Sequence, residues 1–125
     1  MIYEIPIAND EVVYMQGTSC NVNTVVIVSA DKFWELWDAQ ERVDSARESK
    51  ENSDADKCFK QSKQYPVPLA EAGDLFDYEP PKLSLKMVSG ITRLQWLYHK
   101  KATWFPVLSS HSGAELLKQL AGHTL

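Results

Sequence analysis

Five consecutive residues, Thr24 to Val28 (TVVIV), are β-branched, uncharged and free of turn formers. Such a run is stiff at χ1 and suits a pleated surface better than a helix. It does not alternate with polar residues, so it predicts a central strand buried on both faces. A chain built around such a strand needs layers to cover it. With 125 residues there is material for one domain of this kind and not for two.

The flanking patterns fill in those layers. Ile2 to Ala8 alternates as a short half-buried strand, with Pro6 favouring a sheet edge. Asn9-Asp10 predicts a turn and Glu11 to Gln16 a second strand, followed by a turn-rich connector from Gly17 to Asn23. After the TVVIV strand, Ser29 or Asp31 is placed to cap a helix carrying Phe33, Trp34, Leu36 and Trp37, aromatics whose expected use is core packing. The stretch from about 40 to 64 is charged, with Val43 and Phe59 its only large apolar residues, and reads as a solvated helix extension followed by a charged loop or insertion. Tyr65 to Leu69 (YPVPL) is extended because residues preceding proline avoid the helical region. Ala70 to Gly73 reads as a short helical turn and Asp74 to Pro81 as loop. Leu83 to Val88 alternates as a strand that Ser89-Gly90 breaks. Ile91 to Lys101 is a helix with Ile91, Leu94, Leu97 and Tyr98 on its apolar face. Ala102 to Leu108 is a strand with Pro106 near its end or at an edge. Ser109 or Ser110 opens a last helix with Ala114, Leu117, Leu120 and Ala121 on one side and Gly122 as its C′ residue.

Composition narrows the function classes. Thirteen Lys and Arg against seventeen Asp and Glu give a net charge of −4, which disfavours generic nucleic-acid binding. No apolar run approaches the roughly 18–20 residues of a membrane span. The N-terminal MIYEIPIANDE has no cationic stretch leading into an apolar one, so no secretory signal is expected and the location is read as cytoplasmic. In a reducing compartment Cys20 and Cys58 are expected as plain thiols. With His99, His111 and His123 they match no zinc spacing, so no metal site is expected. Ser109 and Ser110 lie in no nucleophile-elbow sequence, and no catalytic residue is assigned. His99, Lys100 and Lys101 end a helix, where positive charge complements the dipole.

The informative segment is Ser89 to Gly122. A glycine closes a strand, a hydroxyl and an arginine follow, and a helix begins at once. That order builds an anion site. Glycine permits a tight turn, the first helical N–H groups point outward, and the arginine offers a bidentate partner for phosphate or carboxylate. The candidate anion- or nucleotide-binding residues are Gly90, Thr92 and Arg93. The structural alternative has Thr92 as a cap, with Arg93 paired to a surface acid. Glu71, Asp74, Asp77 and Glu79 are the nearest acids in sequence for holding a metal beside bound phosphates.

Gly90-Ile91-Thr92-Arg93, followed by Trp104-Phe105-Pro106-Val107, resembles the G-x-x-R turn and following hydrophobic-Pro-Val strand of the ParB/sulfiredoxin-like fold. More narrowly, ITRLQWLYHKKATWFPV, together with Pro66-Val67-Pro68-Leu69 and VSADKFWELW, is similar to the plasmid fertility inhibition family. The resemblance implies an α+β, single mixed-sheet domain of ParB/sulfiredoxin-like type spanning residues 1–125. It implies an inhibitor of conjugative plasmid or T-DNA transfer that contacts the type IV secretion coupling protein or a relaxosome component. Trp96, Tyr98 and Trp104 are candidates for the docking face, although core packing is the expected use of Trp96 and Trp104. The alternative it implies is an ATPase or nuclease that takes ATP at the Gly90–Arg93 turn. Sulfiredoxin chemistry lacks its cysteine, since Ile91 and Thr92 stand in its place, and Ser89 replaces the acid often found before the glycine in ParB-type proteins.

Overall fold

The computed structural model describes residues 2–17, 23–39, 66–77 and 83–124, together with Arg42, Lys57 and Phe59. Most of the charged 40–64 segment, Cys20, Cys58 and Glu79 lie outside the described residues. The elements run β1 (Ile2–Pro6), β2 (Val12–Gln16), β3 (Asn23–Ser29), α1 (Ala30–Leu36), β4 (Val67–Pro68), β5 (Ala70–Asp77), β6 (Leu83–Ser89), α2 (Ile91–His99), β7 (Trp104–Ser110) and α3 (His111–Ala121). They form a mixed α+β domain, with two sheets among the described residues. The smaller has the order β1-β2-β4 and the larger β3-β7-β5-β6, and each contains one parallel and at least one antiparallel pairing.

Sequence chemistry accounts for most of these elements. Pro6 lies on the edge strand β1, and a 3-10 turn, Ala8–Asp10, joins β1 to β2. Asn9 and Asp10 adopt positive φ there (65° and 59°), as the two residue types most tolerant of it after glycine do. Ser29 caps α1, accepting from the Lys32 N–H at 3.4 Å, and Ser110 caps α3, accepting from the Gly113 N–H at 3.2 Å. Phe33 and Trp37 are buried, and Phe33 meets Phe105 edge to face at 5.4 Å. Burying one such side chain contributes roughly 1.5–3 kcal/mol. The core is continuous from Ile5 and Met15 through Val28, Phe33 and Phe105 to Leu94, Leu97 and Leu117.

The structure corrects the sequence reading in four places. The TVVIV strand, β3, is at the edge of its sheet, and β7 is internal. Only Val26 and Val28 of β3 are buried. Helix α3 packs along β3, so a β-branched run has the cover it needs without a strand on its far side. Pro106 therefore lies in an inner strand, with Ile27 opposite it on β3. The position tolerates proline because pairing of β7 with β5 starts only at Val107, opposite Ala70. Ala70 to Asp77 is a strand, not a turn and loop. Its Ala, Gly and Asp content opposes that state, but neighbours on both sides supply its backbone partners. Its pairing with β6 shifts register around Gly73, where a Cβ would stand 2.8 Å from the Lys86 carbonyl oxygen. At the C-terminus, Leu120 is exposed, and Gly122 is extended (φ −60°, ψ 146°) rather than left-handed. Gly122 forms an isolated antiparallel bridge with Val28, and a Cβ there would collide with the Lys118 carbonyl.

Candidate functional site

Pro66 to Leu69 links the two sheets. Val67 and Pro68 pair in parallel with Met15 and Gln16, the Leu69 N–H bonds to the Gln16 carbonyl at 3.2 Å, and Ala70 then enters β5. The turn from β6 into α2 lies against this crossover. Gly90, the N-cap of α2, is left-handed (φ 81°, ψ 20°), and its carbonyl accepts from the Leu94 N–H at 3.2 Å. A Cβ on Gly90 would stand 2.5 Å from the Ala70 Cβ and 2.7 Å from Arg93 Nη2. Glycine is therefore required twice over, by backbone conformation and by the closeness of its neighbours.

Arg93 reaches back over this turn, and its Nη1 donates to the Pro68 carbonyl at 2.6 Å. The guanidinium thus pins α2 to the crossover between the sheets, a charge-assisted bond worth more than a neutral one. Thr92 is half-buried in the first turn and does not cap the helix, since Gly90 holds that position and no side chain bonds there. Gly90 and Arg93 meet at this turn, and Thr92 lies between them in sequence on the first turn of α2. Of the three candidate acids among the described residues, Glu71 is placed nearest, because the β5–β6 register sets it opposite Ser89. Asp77 pairs with Leu83 at the far end of β6, and Asp74 falls in the register shift between Ala72 and Leu75. Among the described residues no cluster of three His, Cys, Asp or Glu side chains could hold a metal ion.

Other sequence candidates disperse. Tyr98 stacks on Trp34 at 3.8 Å and 7°, and the Arg42 guanidinium lies 5.6 Å from the Trp34 ring centroid. Trp96 stacks on Phe59 at 4.4 Å, with the Lys100 ammonium 5.6 Å from its ring. Trp96, Tyr98 and Trp104 are partly buried against the core, so each shows only part of its surface to a partner. His99 meets the edges of Trp34 and Tyr98, and His111 Nδ1 lies 2.6 Å from Thr24 Oγ1. Ser109 is buried and Ser110 is a helix cap. Sequence reasoning missed Pro68 and Ala70 as partners of the turn, and Gln95, which is fully buried on α2 and donates to the Arg42 carbonyl at 3.0 Å. The YPVPL pattern marked the extended crossover, but nothing local announces its contact with a turn more than twenty residues away.

Comparison with known proteins agrees with this architecture. The crystal structure of the oncogenic suppression activity protein, a plasmid fertility inhibition factor solved as its gold(I) cyanide derivative, superposes with a TM-score of 0.82. The match covers 98% of this chain and 70% of that one, at 20% identity, which establishes a shared fold. Residues 25–122 match the plasmid fertility inhibition factor family, and the chain belongs to that family. No curated protein matches it.

Proposed function

We propose that this chain inhibits conjugative transfer of plasmid DNA or T-DNA from a donor cell, binding in the cytoplasm to the coupling protein of type IV secretion or to a relaxosome component. The observation that carries a binding role is the Arg93–Pro68 bond. One donor of the arginine that an anion site would use is engaged within the fold, which supports reading the G-x-x-R turn as a scaffold. Family membership supports transfer inhibition as the outcome, and the net charge of −4 favours a protein target over DNA. Among the described residues no helix is long and apolar enough to cross a membrane, in keeping with a target met from the aqueous side. The test is conjugation frequency from donors expressing the chain against an empty vector, with an incompatibility-group P plasmid. A fall of orders of magnitude is expected. No fall, with the protein folded in the donor, overturns the proposal.

A second reading rests on the opening of α2. Gly90 leaves the first turn without a side-chain cap, and Glu71 stands beside it across the β5–β6 ladder. Under this reading the chain is a ParB/sulfiredoxin-like ATPase or nuclease that binds ATP at Gly90, Thr92 and Arg93. Thermal unfolding with and without Mg-ATP separates the two. A rise in Tm with Mg-ATP that Arg93→Lys abolishes favours the enzyme, and an unchanged Tm favours the scaffold.

A further inference from the structure

The two edges of the larger sheet are finished differently. At the β6 edge the Asp38 N–H bonds to the Leu85 carbonyl at 2.7 Å, and Trp37 bridges to Leu85. Lys86 is exposed on that strand, and its pairing with β5 is irregular. Charge, irregular pairing and a covering segment are the usual ways to keep an edge from pairing with another chain. The β3 edge has neither of the first two. Asn23–Ser29 contains no charge and no proline, and it keeps an unbroken register with β7 over seven pairs.

The direction of its free backbone groups follows from two observations. Pro106 has no N–H to give, so Ile27 opposite it is a non-hydrogen-bonded pair whose own N–H and carbonyl face away from β7. The Ile27 carbonyl accordingly accepts from the His123 N–H at 2.9 Å on the open side. Alternation then turns the backbone groups of Val25 outward too, and among the described residues no backbone group pairs with them there. Beside them runs a cleft of about 600 Å³, walled by Thr24–Ile27, by Ala114, Glu115 and Lys118 of α3, and by Gly122–Thr124. That volume falls within the roughly 300–1,000 Å³ of ligand-sized sites. The chain's own terminal segment shows what this edge accepts. Gly122 forms an isolated antiparallel bridge with Val28, and the His123 N–H bonds to the Ile27 carbonyl in the same sense.

We propose that the β3 edge is the docking site for an extended segment of the partner protein, which adds as a further antiparallel strand at Val25 and lies in the cleft against α3. This goes beyond transfer inhibition and rests on that reading only for the partner's identity. Backbone pairing supplies the affinity in such strand addition, and the cleft beside the strand selects side chains.

The test uses the full chain and twelve-residue peptides tiled across the coupling protein and relaxase of an incompatibility-group P plasmid, with binding read by fluorescence anisotropy. Val25→Pro removes the outward N–H at a position where an edge strand tolerates proline. At least one tile is expected to bind, and to bind Val25→Pro about tenfold or more weakly, with an unchanged circular dichroism spectrum. Removal of His123–Leu125 lengthens the open edge and is expected to tighten the same tile severalfold. It is the deciding variant should Val25→Pro fail to fold. Absence of any binding tile overturns the proposal, as does equal binding by folded Val25→Pro or unchanged binding after the truncation. Conjugation frequency is read in parallel. Wild-type inhibition without a binding tile sinks only the edge site, and a binding tile without inhibition sinks only the proposed function.

Discussion

Among the described residues three strands run directly into helices, and they do so in two ways. At Ser29 and Ser110 a serine side chain accepts a backbone N–H from the first turn, and the junction asks little of its surroundings. At Gly90 no side chain caps the helix, the backbone is left-handed, and the turn is held from outside by Ala70 beneath it and by Arg93 bonded to Pro68. The first kind is a local device that many sequences satisfy. The second kind depends on a crossover more than twenty residues away, so the G-x-x-R pattern reports tertiary structure.

This contrast is breakable by mutation. The largest effect is expected for Gly90→Ala, which combines positive-φ strain with a Cβ forced against Ala70. A loss of about 3 kcal/mol or more in urea unfolding is expected. A loss under about 1 kcal/mol would mean that the turn relaxes and is not pinned. Arg93→Ala removes the charge-assisted bond to the Pro68 carbonyl and is expected to cost about 1–2 kcal/mol, with Arg93→Lys recovering part of it. Ser110→Ala follows at about 1 kcal/mol in the same assay. Ser29→Ala is the smallest, about 0.5 kcal/mol, because its capping distance of 3.4 Å is long for a hydrogen bond. Equal losses at Ser29 and Gly90 would erase the distinction between the two kinds of junction.

Segments whose side chains repeat at the period of their own element were legible in the sequence. These include β6, α2 and α3, where Leu85, Leu94 and Leu117 are buried as their spacing requires. Sheet order was not. The TVVIV run reports burial and propensity, and both are satisfied at an edge once α3 packs along the strand. Strand β5 was invisible because its state is imposed by β6 and β7 against the preference of Ala70, Gly73 and Asp74. The candidate site was half legible. The turn was visible, with Gly90 as the N-cap of α2 and Arg93 in its first turn, but the partner of Arg93 is a backbone carbonyl, which no residue type advertises. Gln95 escaped for the same reason, since it donates to a main-chain oxygen of Arg42.

The central claim is that the Gly90–Arg93 turn is a scaffold within a protein that acts by binding. Conjugation frequency from donors expressing Arg93→Ala, at a folded level matched to wild type, tests it most directly. The scaffold account predicts that inhibition by the folded variant stays within about threefold of wild type. Loss of inhibition by folded Arg93→Ala, accompanied by loss of a Mg-ATP-dependent rise in Tm that the wild type displays, would contradict it and place the chemistry at the turn.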